Sequence, residues 1–290
     1  MRVAIIGANG QLGSDVLRVF STQPDLDPIP LTHADIEITD PDSIAQALGM
    51  EPEVVINTAA WHGARAETEM DISFRVNAVG PKLLADWCRG HNAALVHIST
   101  DYVFDGKTQR PYTEDDPPCP VNIYGISKLA GELVIQALME RYYIVRVSGL
   151  YGVTGSRAKG DSNFVELMLS LAGKEEEIRV VDDQVLTPTY TRDVAECLAR
   201  LIHTEAHGLY HMTNAGHCSW YEFACAIFRL AGLPIRPVPK KTDWANADAQ
   251  RPAYSVLENA HLKQIGMPDL RPWQEALQAY LAERRTRRAQ

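Results

Sequence analysis

The chain has 290 residues, 46% hydrophobic and 22% charged, an ordinary globular composition with enough length for one large core or two smaller ones. Its formal net charge of −9 excludes nucleic acid or an anionic membrane as the main partner, because both need clustered Lys and Arg. No apolar run approaches the ~18 residues of a membrane-spanning helix. Cys88, Cys119, Cys197, Cys218 and Cys225 form no Cys-x-x-Cys pair, so reduced thiols and a cytoplasmic protein are expected. Met1 is followed at once by a strand-like run, so no signal peptide is expected.

Arg2-Val-Ala-Ile-Ile6 reads as a strand buried on both faces. Gly7-Ala-Asn-Gly-Gln-Leu-Gly13 follows, then an amphipathic helix carrying Leu12, Val16, Leu17, Val19 and Phe20. Strand, glycine turn and helix form the context in which a glycine motif binds a dinucleotide. Glycine lets the backbone approach a pyrophosphate, and the free amides of the helix N-terminus hold that anion. The spacing is GxxGxxG rather than GxGxxG. Further strands are expected at Ile29–Leu31, Val54–Ala60, Ala94–Thr100 and Tyr143–Ser148. Helices are expected near Pro41–Leu48, Asn77–Arg89 and around Tyr124.

Strands alternating with helices predict a Rossmann-like α/β fold, a doubly wound parallel sheet whose ligands lie beyond the C-terminal strand ends. Past Tyr151 the pattern loosens. Val153–Asp161 reads as a loop, Phe164–Ala172 as a helix and Glu175–Glu177 as a solvated face. A helix capped by Thr191 or Asp193, a short strand at Gly208–Met212, a Ser219/Glu222 capping box and a last helix from about Pro272 to Arg284 follow. The division expected is a dinucleotide-binding domain at 1–150 and a smaller α/β lobe, mostly for substrate, at 151–290. The helix near 191–204 returns to the first domain.

Asn122-Ile-Tyr-Gly-Ile-Ser-Lys128 places Tyr124 and Lys128 four residues apart, on one helix face and ~5–6 Å apart at Cβ. An ammonium beside a phenol favours the phenolate and lowers its pKa from ~10, making the pair a proton-transfer device. A plain surface helix face gives the same spacing.

The glycine motif, Ser99-Thr100 at a strand end and Tyr124-xxx-Lys128 together resemble an extended short-chain dehydrogenase/reductase. Gly10-Gln-Leu-Gly13, Ser99-Thr-Asp-Tyr-Val-Phe-Asp-Gly106, Asn122–Glu132, Asn163-Phe164, Asp182-Asp-Gln-Val-Leu-Thr-Pro-Thr189, Gly208-Leu-Tyr-His211 and Arg251-Pro252 resemble, more narrowly, the dTDP-4-dehydrorhamnose reductase family over nearly the whole chain. The resemblance implies reduction by NADPH or NADH of a dTDP-linked 4-keto-6-deoxy sugar, giving dTDP-L-rhamnose. It implies that Tyr124 donates the proton, that Thr100 hydrogen-bonds the same oxygen and that Lys128 binds the nicotinamide ribose. By position it assigns Gly7, Asn9, Gly10, Gln11, Leu12, Gly13, Glu37, Ile38, Ala59, Ala60, Asn77 and Ser99 to the cofactor. Asp101, Tyr102, Asn163 and Arg251 join Thr100 as substrate contacts. A satisfied strand-end hydroxyl at Thr100, a packed aromatic at Tyr124 and a helix N-cap at Asn77 are the structural alternatives. No metal site is assigned, and a monomer or homodimer is expected.

Two stretches depart from the family pattern. Gly149 follows Ser148 where the family has Trp, and Trp61-His-Gly-Ala-Arg-Ala-Glu-Thr68 replaces a Tyr-Thr-x-Val-Asp-x-x-Glu pattern. Both bear on which sugar is bound, and His62 is a substrate contact or a surface histidine. Leu31-Thr-His-Ala-Asp35 leans to NADPH, since Thr32 and His33 tolerate a 2′-phosphate. Alternatives are a reductase of another nucleotide-linked 4-keto sugar, a related dehydratase or epimerase, and a dinucleotide-binding subunit without activity, similar to the regulatory subunit of methionine adenosyltransferase. Tyr102 stands where dehydratases carry Glu.

Overall fold

Apolar residues on both faces of each strand put the sheet in the middle of the molecule. The structure is a computed structural model that describes residues 1–155, 162–174, 177–245, 247 and 249–288. The sheet strands are β1 (Arg2–Ile6), β2 (Asp27–Leu31), β3 (Val54–Asn57), β4 (Ala94–Thr100), β5 (Tyr142–Val147) and β6 (Gly208–His211). Their order is β6-β5-β4-β3-β1-β2, and every pairing is parallel. The fold is Rossmann-like. The order turns between β1 and β3, where doubly wound sheets open a ligand crevice.

Helices cover both faces. On one side α1 (Gln11–Phe20) packs with Val194 and Leu198 against Val3, Ile5, Val96 and Val145. On the other, α2 (Pro41–Ala47), α3 (Gly80–Gly90) and α4 (Ile123–Leu138) bury Ile44, Leu84 and Ile135 against Ala4, Val55 and Leu95. A separate apolar cluster joins Tyr151, α5 (Phe164–Leu171), α7 (Trp220–Ala231) and α8 (Trp273–Arg288). Between α5 and α7 in sequence, α6 (Thr191–Leu201) crosses back to pack on α1. Among the described residues no helix is long and apolar enough to cross a membrane.

Three expectations change. The strand at 208–211 is the sixth strand of the main sheet, paired with β5 from Gly208↔Tyr143 to His211↔Arg146. It is four residues long and follows a lobe-like stretch, so period alone could not assign it a partner. Neither Thr191 nor Asp193 caps α6; the N-cap is Tyr190, without a side-chain bond. Both side chains have tertiary partners instead, Thr191 with Asp15 and Asp193 with Arg271 and Asn214. The expected helix from Asn77 is the tail of a longer helical run, from Met70–Phe74 through a π turn at Arg75–Val79 into α3. Asn77 is therefore not an N-cap. The Ser219/Glu222 capping box is present. The expected loop at 156–161 and solvated face at 175–176 lie outside the described residues.

One buried ion pair fixes α4 on the sheet. Arg146 of β5 meets Glu132 of α4 at 2.6 Å, with the two side chains 2% and 1% exposed. Ser99 of β4 donates to the same carboxylate, and the guanidinium lies 5.1 Å from the Phe104 ring centroid. Removing one partner of such a pair leaves a buried, uncompensated charge. Arg146→Met is thus expected to lower the unfolding free energy by about 3–5 kcal/mol, and the double variant Arg146→Met/Glu132→Leu to regain much of that. Urea denaturation measures both, and equal losses in the single and double variants would contradict the assignment.

Candidate active site

The site is built on the first two turns of α4. Asn122 is its N-cap, accepting from the Gly125 amide at 2.7 Å while its own Nδ2 donates to the Gln250 carbonyl. Glu67 accepts from the amides of Ile123 and Tyr124, each at 3.1 Å. An acid at a helix N-terminus suits both the free amides and the dipole. Gly125 is needed for a different reason: a Cβ there would stand 2.1 Å from the Tyr102 carbonyl oxygen. Its absence lets the 3-10 turn Asp101–Val103 close onto the helix.

That contact brings the end of β4 to Tyr124. The Thr100 hydroxyl stands beside the Tyr124 phenol and favours its ionised form. The Thr100 hydroxyl also lies 3.1 Å from Asp101 Oδ1 and accepts the Tyr102 amide at 3.2 Å. Tyr102 and His62 pack edge-on around the Tyr124 ring, with centroids at 6.0 and 6.5 Å. Asp101 is buried and held by Ser148 at 2.8 Å. Burial pushes its carboxyl up to about 6, against opposing hydrogen bonds from Ser255, Ser148 and Thr100. Burial likewise pushes the Tyr102 phenol up to about 12, with the Asp101 charge adding to it and Arg251 opposing.

Tyr124 and Lys128 behave differently from the expectation of an ammonium lowering a phenol. The Tyr124 phenol is raised by burial, partly offset by the Thr100 hydroxyl. Lys128 donates to the Ile98 carbonyl at 2.6 Å and meets His97 Nε2 at 3.1 Å. Burial brings its amine down to about 7, with Glu132 acting the other way. The two groups share a helix face, yet Lys128 has turned to the β4 backbone. Its charge, where present, is not spent on the phenol in this state.

The glycine turn fits a dinucleotide. Gly7 has φ +79°, and a Cβ on it would stand 2.6 Å from Thr58 Oγ1. A Cβ on Gly13 would stand 2.2 Å from the Gly7 carbonyl oxygen. Gly10 caps α1 without a side chain over the helix amides, and the buried Gln11 Nε2 has no partner. Such a bare helix N-terminus takes a phosphate. Gly7, Asn9, Gly10, Gln11, Ala59 and Ala60 are all partly exposed around the β1/β3 crevice, and the Thr58 amide bonds the Ile6 carbonyl across it. At the end of β2, Asp35 Oδ2 is taken by the amide and hydroxyl of Thr32, at 2.8 and 2.7 Å. His33 there is largely exposed.

Several assigned residues have other work. Leu12 and Ile38 are buried in the two sheet cores. Glu37 holds the amide and hydroxyl of Thr39. Ser99 is committed to Glu132. Asn77 is fully buried: its Oδ1 accepts the Trp61 amide at 2.9 Å, and its Nδ2 donates to Trp61 O and Ser127 Oγ at 2.8 and 3.0 Å. It clasps the third-strand loop to α4. Asn163, proposed as a substrate contact, caps α5 and donates to the Gly152 carbonyl at 2.8 Å, so both ends of its amide are occupied. Arg251 is exposed beside Tyr102.

The departure at Gly149 also has a structural basis. It has φ +54°, and a Cβ there would meet Leu186 at 2.7 Å and Thr187 O at 2.9 Å. No aromatic side chain fits at 149 on this backbone. Asn57, Glu67 and His97 were missed. The polar letters interleaved in Val96-His-Ile-Ser-Thr100 were the available signal, since a strand otherwise buried on both faces keeps a His only where it has partners.

Comparison with known proteins agrees with this geometry. The RmlD substrate binding domain family matches residues 1–286. The spore coat polysaccharide biosynthesis protein SpsK of Bacillus subtilis is 41% identical, with 98% of each chain covered. The dTDP-4-dehydrorhamnose reductase of Streptomyces griseus is 39% identical, with 95% of this chain and 91% of that one covered. The crystal structure of dTDP-4-dehydrorhamnose reductase from Bacillus anthracis, in complex with NADP, superposes with a TM-score of 0.92. It is 38% identical and covers 97% of this chain and 99% of that one. The chain therefore belongs to the RmlD family of dTDP-4-dehydrorhamnose reductases.

Proposed function

We propose that the protein reduces the C4 ketone of dTDP-4-dehydro-6-deoxy-L-mannose to dTDP-L-rhamnose in the cytoplasm, with NADPH preferred over NADH and Tyr124 as proton donor. The observation that carries this is the meeting of the Thr100 hydroxyl and the Tyr124 phenol at the end of β4, with Lys128 one turn further along α4. When bound, the reduced nicotinamide supplies the hydride. The backbone of Gly7–Gly13 and the N-terminus of α1 would hold its phosphates, with Ala59 and Ala60 lining the crevice. The exposed His33, and Asp35 turned onto Thr32, leave room for a 2′-phosphate.

A ketone gaining hydride develops negative charge on oxygen, and fixed donors at that point stabilise it. Thr100 and Tyr124 present two hydroxyls together. Burial keeps the phenol protonated, so it arrives as a donor rather than as a phenolate. Giving up that proton becomes favourable only as the neighbouring oxygen gains charge. In this arrangement Thr100 gives its one proton to Asp101, which is itself fixed by Ser148, so Thr100 would donate to the substrate oxygen by turning from that carboxylate. Residues 151–290 outside α6 and β6 are proposed as the substrate lobe, with Tyr102, Arg251 and His62 toward the nucleotide sugar. Arg251 suits the diphosphate, because its planar fork matches phosphate oxygens.

Purified protein should oxidise NADPH only when a dTDP-4-keto-6-deoxy sugar is added. No oxidation with the authentic ketone would refute the reductase role and favour a non-catalytic dinucleotide-binding subunit. Tyr124→Phe should lower kcat by about 10²–10⁴-fold while the Kd for NADPH stays within a small factor; near-normal turnover would remove Tyr124 as the acid. Thr100→Val, which keeps shape and deletes one donor, should lower kcat by roughly 10²-fold with little change in KM. A pure KM effect would make Thr100 a binding residue only.

A further inference from the structure

We propose that Asn57 and His97 are positioning residues that couple the charge on Lys128 to the backbone amide of Ala59 at the dinucleotide crevice. On the reductase reading above, cofactor binding and proton uptake by Lys128 then become one event. Three buried side chains form the link: Asn57 and His97 are fully buried, and Lys128 is 1% exposed. No bulk water mediates between them, so donors and acceptors must match along the chain.

In the observed arrangement Asn57 Oδ1 accepts the Ala59 amide at 3.1 Å. That leaves Asn57 Nδ2, a donor only, facing His97 Nδ1 at 3.2 Å. Nδ1 must therefore accept, and the single proton of the neutral imidazole sits on Nε2. Nε2–H then points at Lys128 Nζ, 3.1 Å away, while Nζ donates to the Ile98 carbonyl at 2.6 Å. An amine has a lone pair to receive Nε2–H; an ammonium has none. The geometry as a whole selects the neutral lysine. Burial favours the same state, bringing the amine down to about 7 and keeping His97 uncharged.

Charging Lys128 reverses every partner. One proton enters from solvent, and the imidazole proton moves from Nε2 to Nδ1, so that Nε2 accepts from the ammonium and His97 stays neutral throughout. Nδ1–H then needs an acceptor, and Asn57 supplies it by turning its amide over. Its NH₂ group now faces the Ala59 amide, which loses its acceptor. Ala59 is partly exposed and lies against the glycine turn: a Cβ on Gly7 would be 3.4 Å from Ala59 N. Two donors cannot face each other there, so the Ala59 N–H has to turn from Asn57 toward the crevice, where a ligand oxygen accepts it. The other charge facing Lys128 is Glu132, one turn along its own helix, which favours the ammonium but is engaged by Arg146 of β5 and Ser99 of β4. Tyr124, on the turn before, is a neutral phenol.

The test is two-bond ¹H–¹⁵N NMR of histidine-labelled protein, free and saturated with NADPH, together with the NADPH Kd as a function of pH. The free protein at pH 8.5 should show His97 as the Nε2–H tautomer, and saturation with NADPH should convert it to Nδ1–H. The Kd should rise toward tenfold per pH unit above pH 7. Asn57→Asp, whose carboxylate accepts both Nδ1–H and the Ala59 amide, should show Nδ1–H without ligand and flatten the pH dependence. An Nδ1–H tautomer in the free wild-type protein at pH 8.5, or one tautomer in both states, would overturn the coupling. These readouts need no sugar. A tautomer change without sugar-dependent turnover would sustain the coupling and sink the reductase role, and turnover without the change would do the reverse.

Discussion

One helix has to stand at one height over one strand. The hydroxyl of Thr100 belongs to β4, and the phenol and amine belong to α4, so the chemistry depends on the register between these two elements. The Arg146–Glu132 pair, with Ser99 on the same carboxylate, fixes the far end of the contact from beneath. Glu67 on the first amides of α4 and Asn77 clasped to Ser127 fix the near end. Gly125 removes the one Cβ that would hold the two elements apart. A buried ion pair contributes little net stability against an apolar substitute. Here it sets position, because a shift of α4 by one turn would strand both charges.

The acids that the sequence places unusually in the third-strand loop fall into the same scheme. Glu67 contacts the backbone of α4 and carries no evident catalytic duty, while Arg65 lies 5.8 Å from the Trp61 ring centroid. The loop thus supports the helix from above, and its His62 ring lies edge-on to Tyr124. At Gly149 the absence of an aromatic wall follows from Leu186 and Thr187 occupying the space. On the proposed function, Tyr102, Tyr124 and His62 would bound the sugar rather than a ring at that position.

Much of the fold was legible because its signals are local. The glycine turn, the runs Ala94–Thr100 and Tyr143–Ser148 and the Ser219/Glu222 box each announce themselves within a few residues. β6 was not legible as a sheet strand, because four residues carry no information about a partner more than sixty residues earlier. The candidate residues were legible by type: Thr100 and Tyr124 stand together at the end of β4, and Lys128 reaches the Ile98 carbonyl of the same strand. What spacing could not convey was direction. Lys128 points at the β4 backbone, Ser99 at Glu132, and Asn163 and Asn77 into caps and clasps. The pKa of Tyr124 went the opposite way to the pairwise expectation, because burial raises the phenol while the Lys128 amine is aimed elsewhere.

The central claim is that the Thr100 and Tyr124 hydroxyls meet the oxygen that is reduced. The most direct measurement is a crystal structure with NADP⁺ and dTDP-L-rhamnose bound together. The account predicts the sugar 4-hydroxyl within hydrogen-bonding distance of both Thr100 Oγ1 and Tyr124 Oη, with the pyrophosphate of the dinucleotide on the Gly7–Gly13 turn. A 4-hydroxyl turned away from both groups, with the dinucleotide in place, would contradict it.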